Sequence, residues 1–390
     1  MLNLGVIFRS GKENERRMPI HPDHFGQMSR EVGSHVRFER GYAEIFGMAS
    51  EELGARFGGT ATREELLAQS DAVLMLKPMP SDLQMMREGG VLWGWCHCVQ
   101  QSDVAQAAID RRLTLIAWEA MFRWLGEVRD MHVFCRNNEL AGYCAVIHAM
   151  ALAGIDGFYG PRRKAVVLSH GSASRGAIYA LRGRGVDDIS VYTQRPPWMV
   201  HDKIVGCRYG QMGRTGADGV EAIEEDGARR RLLESLSDSD IVVNGILQDT
   251  DNPLMYMGEG EEVCLKQGCL VVDVSCDLGM GFPFARPTSF DEPVIGIGPI
   301  TYYAVDHTAS YLWRAASWEI SRVVLRYLEA VMGGPSAWAR DVTLSRSIEI
   351  CDGVVQNPKI LSFQNRLPGY PHERSRSQPE VLTPALHTKV

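Results

Sequence analysis

The sequence predicts an α/β protein made of two doubly wound parallel-sheet domains, and three observations predict it. Short apolar runs recur along the chain and alternate with stretches whose apolar residues fall at helical spacing. That alternation is how parallel strands joined by crossover helices read in sequence. One of these runs leads into a glycine-bearing turn, KAVVLSHGSASRGA at 164–177. The length of 390 residues, with 45% hydrophobic and 23% charged content, provides for two cores of ordinary size.

In the first domain, strands are expected over 2–8, 35–39, 72–76, 91–95 and 113–118. Helices are expected over 24–32, Arg63–Gln69 and 104–111, the last capped by Ser102 or Asp103. A helix over 138–153, with Leu140, Tyr143, Cys144, Ile147 and Ala151 at helical spacing, bridges to a second domain starting near Arg163. The strands of that domain are expected over 166–169, 189–193, 241–246, 270–274 and Val294–Ile297. A long helix over 308–332 carries Trp313, Ile320, Val324 and Leu328 on one side, a stripe that serves either an interface or the core. From about residue 364 the chain is polar and Pro-bearing, so 364–390 is expected to be an extended or disordered tail.

The turn at 164–177 joins an apolar strand to a helix, which is the opening of a Rossmann dinucleotide-binding domain. Gly171 and Gly176 take the first and last glycine positions of the GxGxxG fingerprint, and Ala173 stands at the middle one. Gly171 permits the tight turn and Gly176 a close helix–strand contact, with Ser172, Ser174 and Arg175 completing the phosphate turn at the helix N-terminus. The next strand ends in Thr193, Gln194 and Arg195, with no acid to accept ribose hydroxyls. An Arg there suits a 2′-phosphate, so NADPH is the expected cofactor. Asn244, Gly245, Ile246 and Leu247, ending the fourth strand, and Val274 with Asp277, after the fifth, would line the same crevice.

A net charge of −7 argues against a nucleic-acid partner. Nine scattered cysteines read as reduced thiols of a cytoplasmic protein. Cys96-His97-Cys98 has no second ligand pair at metal-binding spacing, so no metal is expected. Neither a signal peptide nor an apolar run of transmembrane length is visible, so no membrane partner is expected.

Chemistry is expected at the strand ends. Arg17, Lys77 and His97 each follow or adjoin a first-domain strand, and Asp277 follows one in the second. Arg can clamp a carboxylate in two places, Lys can polarise a carbonyl, and His or Asp can move a proton. That set suits hydride transfer to a 2-oxo acid or its imine.

Several segments in order carry a family resemblance: ENERRMPIHP ending at Pro22, LKP at 76–78, GWCHCVQ at 94–100, GSASRGA at 171–177, VDVSCDLGMGF at 272–282 and YYAVDHTASYLW at 302–313. Over roughly residues 1–330 the chain resembles the alanine dehydrogenase and transhydrogenase superfamily, which also contains saccharopine dehydrogenases. Within it the chain most resembles the carboxyethylornithine synthase branch. The resemblance implies Arg17 on the substrate carboxylate, Lys77 on the carbonyl oxygen, and His97 with Asp277 as the proton-handling pair.

It also implies homo-oligomers and a discontinuous substrate domain. That domain would comprise 1–138 and 305–363, flanking a Rossmann NADP-binding domain at 139–304. The segment KPMP lacks the acidic residue that often follows the lysine in alanine dehydrogenases, and His307 stands where they carry Asn. These departures favour the synthase branch. The expected reaction is NADPH-dependent condensation of pyruvate with the side-chain amine of ornithine or lysine. The alternatives are an ammonia-using alanine dehydrogenase and a cofactor-binding regulator with degraded catalysis. Glu119, Arg123, Tyr302 and His307 are the candidates for recognising the amino acid.

Overall fold

A computed structural model of the chain describes residues 1–215 and 219–375. The first sheet runs in the order Val354–Val355, Ile348–Cys351, Thr114–Ala117, Val91–Gly94, Ala72–Leu74, Leu4–Val6, Val36–Glu39, Thr60–Ala61. The last six are parallel. Their succession reverses direction at Leu4–Val6, which pairs with Val36–Glu39 on one side and Ala72–Leu74 on the other. The strands Ala72–Leu74, Val91–Gly94 and Thr114–Ala117 are buried along their whole length. Both faces of the sheet are therefore covered, and the strands read as continuous apolar runs rather than as alternation.

The second sheet repeats the plan. Lys164–Leu168 is flanked in parallel by Asp188–Thr193 and Ile241–Asn244, and the sheet continues through Arg208–Thr215 on one side and Leu270–Asp273 and Ile300–Tyr303 on the other. Its edges depart from the all-parallel expectation. Gly219–Ile223, Arg229–Arg231 and Val294–Ile297 are antiparallel, as are Ile348–Cys351 and Val354–Val355 in the first sheet. The expected helix over 24–32 is a 3-10 turn, Pro22–Gln27, followed by a short α-helix, Arg30–Ser34. Met28-Ser29 interrupts them, with Met28 extended and Ser29 capping the second piece.

The bridging helix is Cys135–Leu152 and packs its Ala145, Val146, Ala149 and Met150 into the core of the second sheet. The long helix is Trp313–Met332, preceded by a 3-10 turn, Thr308–Leu312. Its Ile320, Val324 and Leu328 share one buried cluster with Leu4, Val36 and Trp93 of the first sheet, so the apolar stripe builds that core. Ile350, Val355 and Ile360 fill the other face of the sheet with Val73, Leu92 and Leu115.

The stretch expected to trail off from residue 364 is anchored as far as 375. Gln364 donates to the carbonyls of Cys98 (2.6 Å) and Val99 (3.1 Å), Arg366 reaches Gln106 at 2.8 Å, and His372 is fully buried. A polar composition hid this because the anchors are buried polar side chains satisfied by backbone groups. Residues 376–390 lie outside the described part.

Candidate active site

The turn expected to cradle the dinucleotide lies between Lys164–Leu168 and the helix Ser172–Gly183. Gly171 is the N-cap residue and no side chain caps this helix, so Ser172, Ala173 and Ser174 begin a helix end whose first N–H groups are left for an anion. The Ser174 hydroxyl donates back to the Leu168 carbonyl at 3.1 Å and tightens the turn. Gly245 lies against it: a Cβ there would sit 2.4 Å from Ser174 Oγ.

The contact made by Gly176 differs from the expected one. A Cβ at 176 would lie 1.8 Å from the Glu139 carbonyl, so the close approach is to the bridging helix and not to the strand. Gly142 returns the contact, 1.8 Å from the Ala173 carbonyl. Two glycines thus lock the two helices backbone to backbone. Arg175 turns away from the helix end, with Nη1 on the Asp202 carbonyl at 2.8 Å and Nη2 on Tyr179 at 3.1 Å.

At the far end of this crevice, Thr193 donates to the Arg195 carbonyl at 2.5 Å, which fixes the turn after its strand. Arg195 is exposed and its guanidinium has no hydrogen bond or ion pair among the described residues. A cavity of about 380 Å³ opens there, lined by Gln194, Gln211, Arg214, Leu247 and Asp249 among others. Asn244 is buried, bridging Asp273 (2.9 Å) and the Ile246 amide (3.2 Å).

Across the interdomain crevice, the loops after the first-domain strands present Lys77 and His97. Lys77 Nζ lies 2.9 and 3.2 Å from the two carboxylate oxygens of Asp306, just past Ile300–Tyr303, and Lys12 approaches the same carboxylate at 3.5 Å. Burial alone would raise the Asp306 pKa, but Lys77, His307 and Lys12 together outweigh it and hold the carboxylate well below its usual range. His97 has no ring hydrogen bond among the described residues. Burial, then the Lys77 charge, push its imidazole down to about 3, so the ring is neutral at physiological pH. Asp277 moves the other way: burial and the neighbouring Asp273 and Asp306 raise its carboxyl to about 7. Asp273 itself is buried and accepts from Asn244 and from the Tyr302 hydroxyl at 2.9 Å each.

Arg17 is buried and already engaged. Its Nε lies 2.9 Å from Glu15 Oε1, its Nη2 2.5 Å from Glu15 Oε2 and its Nη1 3.0 Å from Asn137, with the guanidinium 4.9 Å from the Trp95 ring. Burial would raise the Glu15 pKa, but Arg17 holds it at about 2. These bonds take three of the N–H groups, and the guanidinium has others to offer a ligand.

Four non-glycine residues on these loops, His97, Ser169, Cys276 and His307, have left-handed backbones (φ +48°, +86°, +56° and +45°). Each such residue costs of order 1–3 kcal/mol, and such costs gather at functional sites.

Lys77 thus pairs with Asp306, whose charge both His97 and Asp277 feel, while the phosphate turn and Arg195 stand at the ends of neighbouring second-domain strands. Of the four residues expected to recognise an amino acid, His307 adjoins this group and the other three do not. Glu119 lies behind the His97 loop, accepting from the His97 amide, and burial together with Glu349 raises its pKa. Tyr302 is fully buried on Asp273. His307 gives Nε2 to the Glu13 carbonyl (2.8 Å) and faces Asp306 with Nδ1 at 3.2 Å, its side chain 2% exposed. Arg123 pairs with Asp130 on the separate hairpin Phe122–Leu125/Val128–His132. Asp306, Glu15 and Asp273 were missed, although the first lies within YYAVDHTASYLW and the second two residues before Arg17.

Comparison with known proteins identifies the family. Residues 6–141 match the alanine dehydrogenase/PNT N-terminal domain and residues 189–358 its C-terminal domain, between them most of the chain. The chain belongs to the alanine dehydrogenase/PNT family. Its members are oxidoreductases that bind a nicotinamide dinucleotide, and the uncapped helix end at Gly171 with the small Ala173 beside it fits such a cofactor.

N(5)-(carboxyethyl)ornithine synthase of Clostridium botulinum is 23% identical over 331 residues, 81% of this chain and 90% of that protein. Alanine dehydrogenase of Mycobacterium tuberculosis is 22% identical over 369 residues, 90% and 93% of the two chains. Among solved structures, an L-alanine dehydrogenase superposes with a TM-score of 0.72 at 16% identity, covering 92% of this chain and 98% of that one. Among the described residues no helix is long and apolar enough to cross a membrane, and no three potential ligands cluster as a metal site.

Proposed function

We propose that this family member catalyses the NADPH-dependent condensation of pyruvate with the side-chain amine of ornithine or lysine, giving a carboxyethyl amino acid. The observation that carries the reading is the Lys77–Asp306 pair, whose carboxylate charge both His97 and Asp277 feel. The similarity to carboxyethylornithine synthases favours an amino acid over ammonia as donor.

The remaining N–H groups of Arg17 bind the oxo-acid carboxylate, with Glu15 and Asn137 holding the guanidinium plane. Lys77, fixed by Asp306, donates to the carbonyl oxygen and makes its carbon more electrophilic. The incoming amine bonds to that carbon and the oxygen leaves as water. Asp277, with a pKa of about 7, is suited to give the proton this departure needs and to take it back. His97, neutral at this pH, orients the substrate as a hydrogen-bond partner and carries no charge. Bound NADPH supplies the hydride that reduces the resulting imine. Arg195 would hold its 2′-phosphate, since no carboxylate stands at the strand end to repel it.

NADPH oxidation is measured with pyruvate and, in turn, ornithine, lysine and ammonia, and the products are weighed. The expected product is heavier than the amino acid by a carboxyethyl group, formed at least about a hundredfold more efficiently than alanine from ammonia. Alanine as the main product, with ammonia the better donor, overturns the reading.

A further inference from the structure

A second opening, of about 450 Å³, lies at the carboxyl ends of the first-domain strands, where Leu4–Val6 stands between strands that lead away in opposite directions. In doubly wound sheets that place is the usual ligand crevice. Its floor is rigid and internally neutralised. Arg63 donates to Asp82 at 2.8 and 3.1 Å and to the Arg9 carbonyl at 2.6 Å. Glu39, 5% exposed, accepts from the Phe8 and Arg9 amides at 3.0 and 3.2 Å.

The rim is different. Arg9, Arg40 and Glu64 are exposed, and none has a side-chain hydrogen bond or ion pair among the described residues. The Arg9 guanidinium rests over the Phe8 ring, 5.2 Å from its centre, with its N–H edge unpaired. Two guanidinium groups and one carboxylate with open hydrogen-bonding positions match a molecule carrying both a carboxylate and an ammonium.

The opening adjoins the reacting centre. Ser10 lines it and donates to the Lys77 carbonyl at 2.7 Å, and Met79, two residues past Lys77, lines it as well. Lys12, on the same loop as Ser10, leans on the Asp306 that holds Lys77. An extended chain of three or four methylenes separates its terminal amine from its α-carboxylate by roughly 6–8 Å. A ligand seated by its head group in this opening would have to extend its amine past the Ser10–Lys12 loop to reach Lys77.

We infer that this opening binds the amino-acid head group of the amine co-substrate, Arg9 and Arg40 taking the α-carboxylate and Glu64 the α-ammonium. The inference rests on the condensation reading above. It supplies a recognition that Glu119, Arg123 and Tyr302, turned elsewhere, do not.

The test uses the full chain with NADPH and pyruvate, and compares ornithine with 1,4-diaminobutane, which has the amine but no carboxylate. In Arg40→Ala and in the Arg9→Ala/Arg40→Ala double variant, KM for ornithine should rise about tenfold or more per arginine. The loss should lie in KM and not in kcat, and the preference for ornithine over the diamine should collapse. Both side chains are exposed, so the variants fold, as circular dichroism checks. Wild-type turnover of ornithine with an unchanged KM in the double variant overturns the subsite and leaves the synthase reading standing. Wild-type turnover with ammonia alone overturns both.

Discussion

Replacing Gly176 by Ala tests the joint between the nucleotide-binding helix and the bridging helix. A Cβ at 176 would sit 1.8 Å from the Glu139 carbonyl oxygen. Carbon and oxygen in close non-bonded contact need about 3.3 Å, so the two backbones would have to part by roughly 1.5 Å there. Neither side can yield by rotating a side chain, because the obstructing atom is main chain in a helix. Overpacking of this kind costs about 2–3 kcal/mol, and for a domain of this size each kcal/mol lowers Tm by roughly 2–4 °C. A fall of about 4–12 °C is expected, together with weaker NADPH binding, because the displaced helix end is the one that faces the phosphates.

Gly183→Ala is the control. It lies in the same helix with nothing within 4 Å of the added carbon, so helix propensity alone acts and stability should rise by up to about 1 kcal/mol. Thermal melts and NADPH titration of both variants decide the matter. Equal shifts in the two, or an unchanged Tm in Gly176→Ala, would refute the backbone-contact argument.

Asp277→Asn removes the group with a pKa near 7. It should lower kcat by about 10²–10⁴ and abolish the decline in pyruvate kcat/KM expected as pH rises through 7 and the wild-type carboxyl loses its proton. A surviving limb in the pH profile would assign it to another residue. Arg195→Asp should raise KM for NADPH far more than for NADH, and equal effects would take Arg195 off the 2′-phosphate. Glu349→Gln addresses the buried carboxyls behind His97. Burial raises the folded pKa of Glu349, and burial with Glu349 raises that of Glu119 to about 8, so their contribution to stability is complete below about pH 4 and is lost progressively as pH rises through about 8. The Gln variant should therefore gain in Tm relative to wild type at pH 9 compared with pH 5, and a gain that does not grow with pH would argue against the coupled pair.

The parallel centres of both sheets were legible because strands covered on both faces are continuous apolar runs, as in Val91–Gly94 and Ile241–Asn244. The edges were not. Arg208–Thr215 and Arg229–Arg231 are largely polar and pair through hairpins, and Ile348–Cys351 finds its partner more than 200 residues away. Sequence spacing carries no trace of such a pairing.

The same contrast runs through the site. Lys77, His97 and Asp277 could be picked out by their place after strands, but the partners that set their charge could not. Asp306 meets Lys77 only because the domains face each other, and Glu15 claims Arg17 only because a buried guanidinium needs an anion. His307 adjoins Asp306 as well, its left-handed backbone setting one ring nitrogen on the Glu13 carbonyl and the other towards that carboxylate.

The return of the chain into the first sheet also sets the order in which the molecule is made. When residues 1–134 leave the ribosome, their sheet has a bare edge at Thr114–Ala117 and lacks the Ile320, Val324 and Leu328 that complete its core. The stretch from Cys135 to Tyr303 has no such debt, since its helices and strands are contiguous and pack on one another. Folding during synthesis therefore finishes the nucleotide-binding half first, and the exposed edge of the other half waits for the last 40 or so residues of the described chain. A nascent chain thus completes its second sheet before its first one is closed.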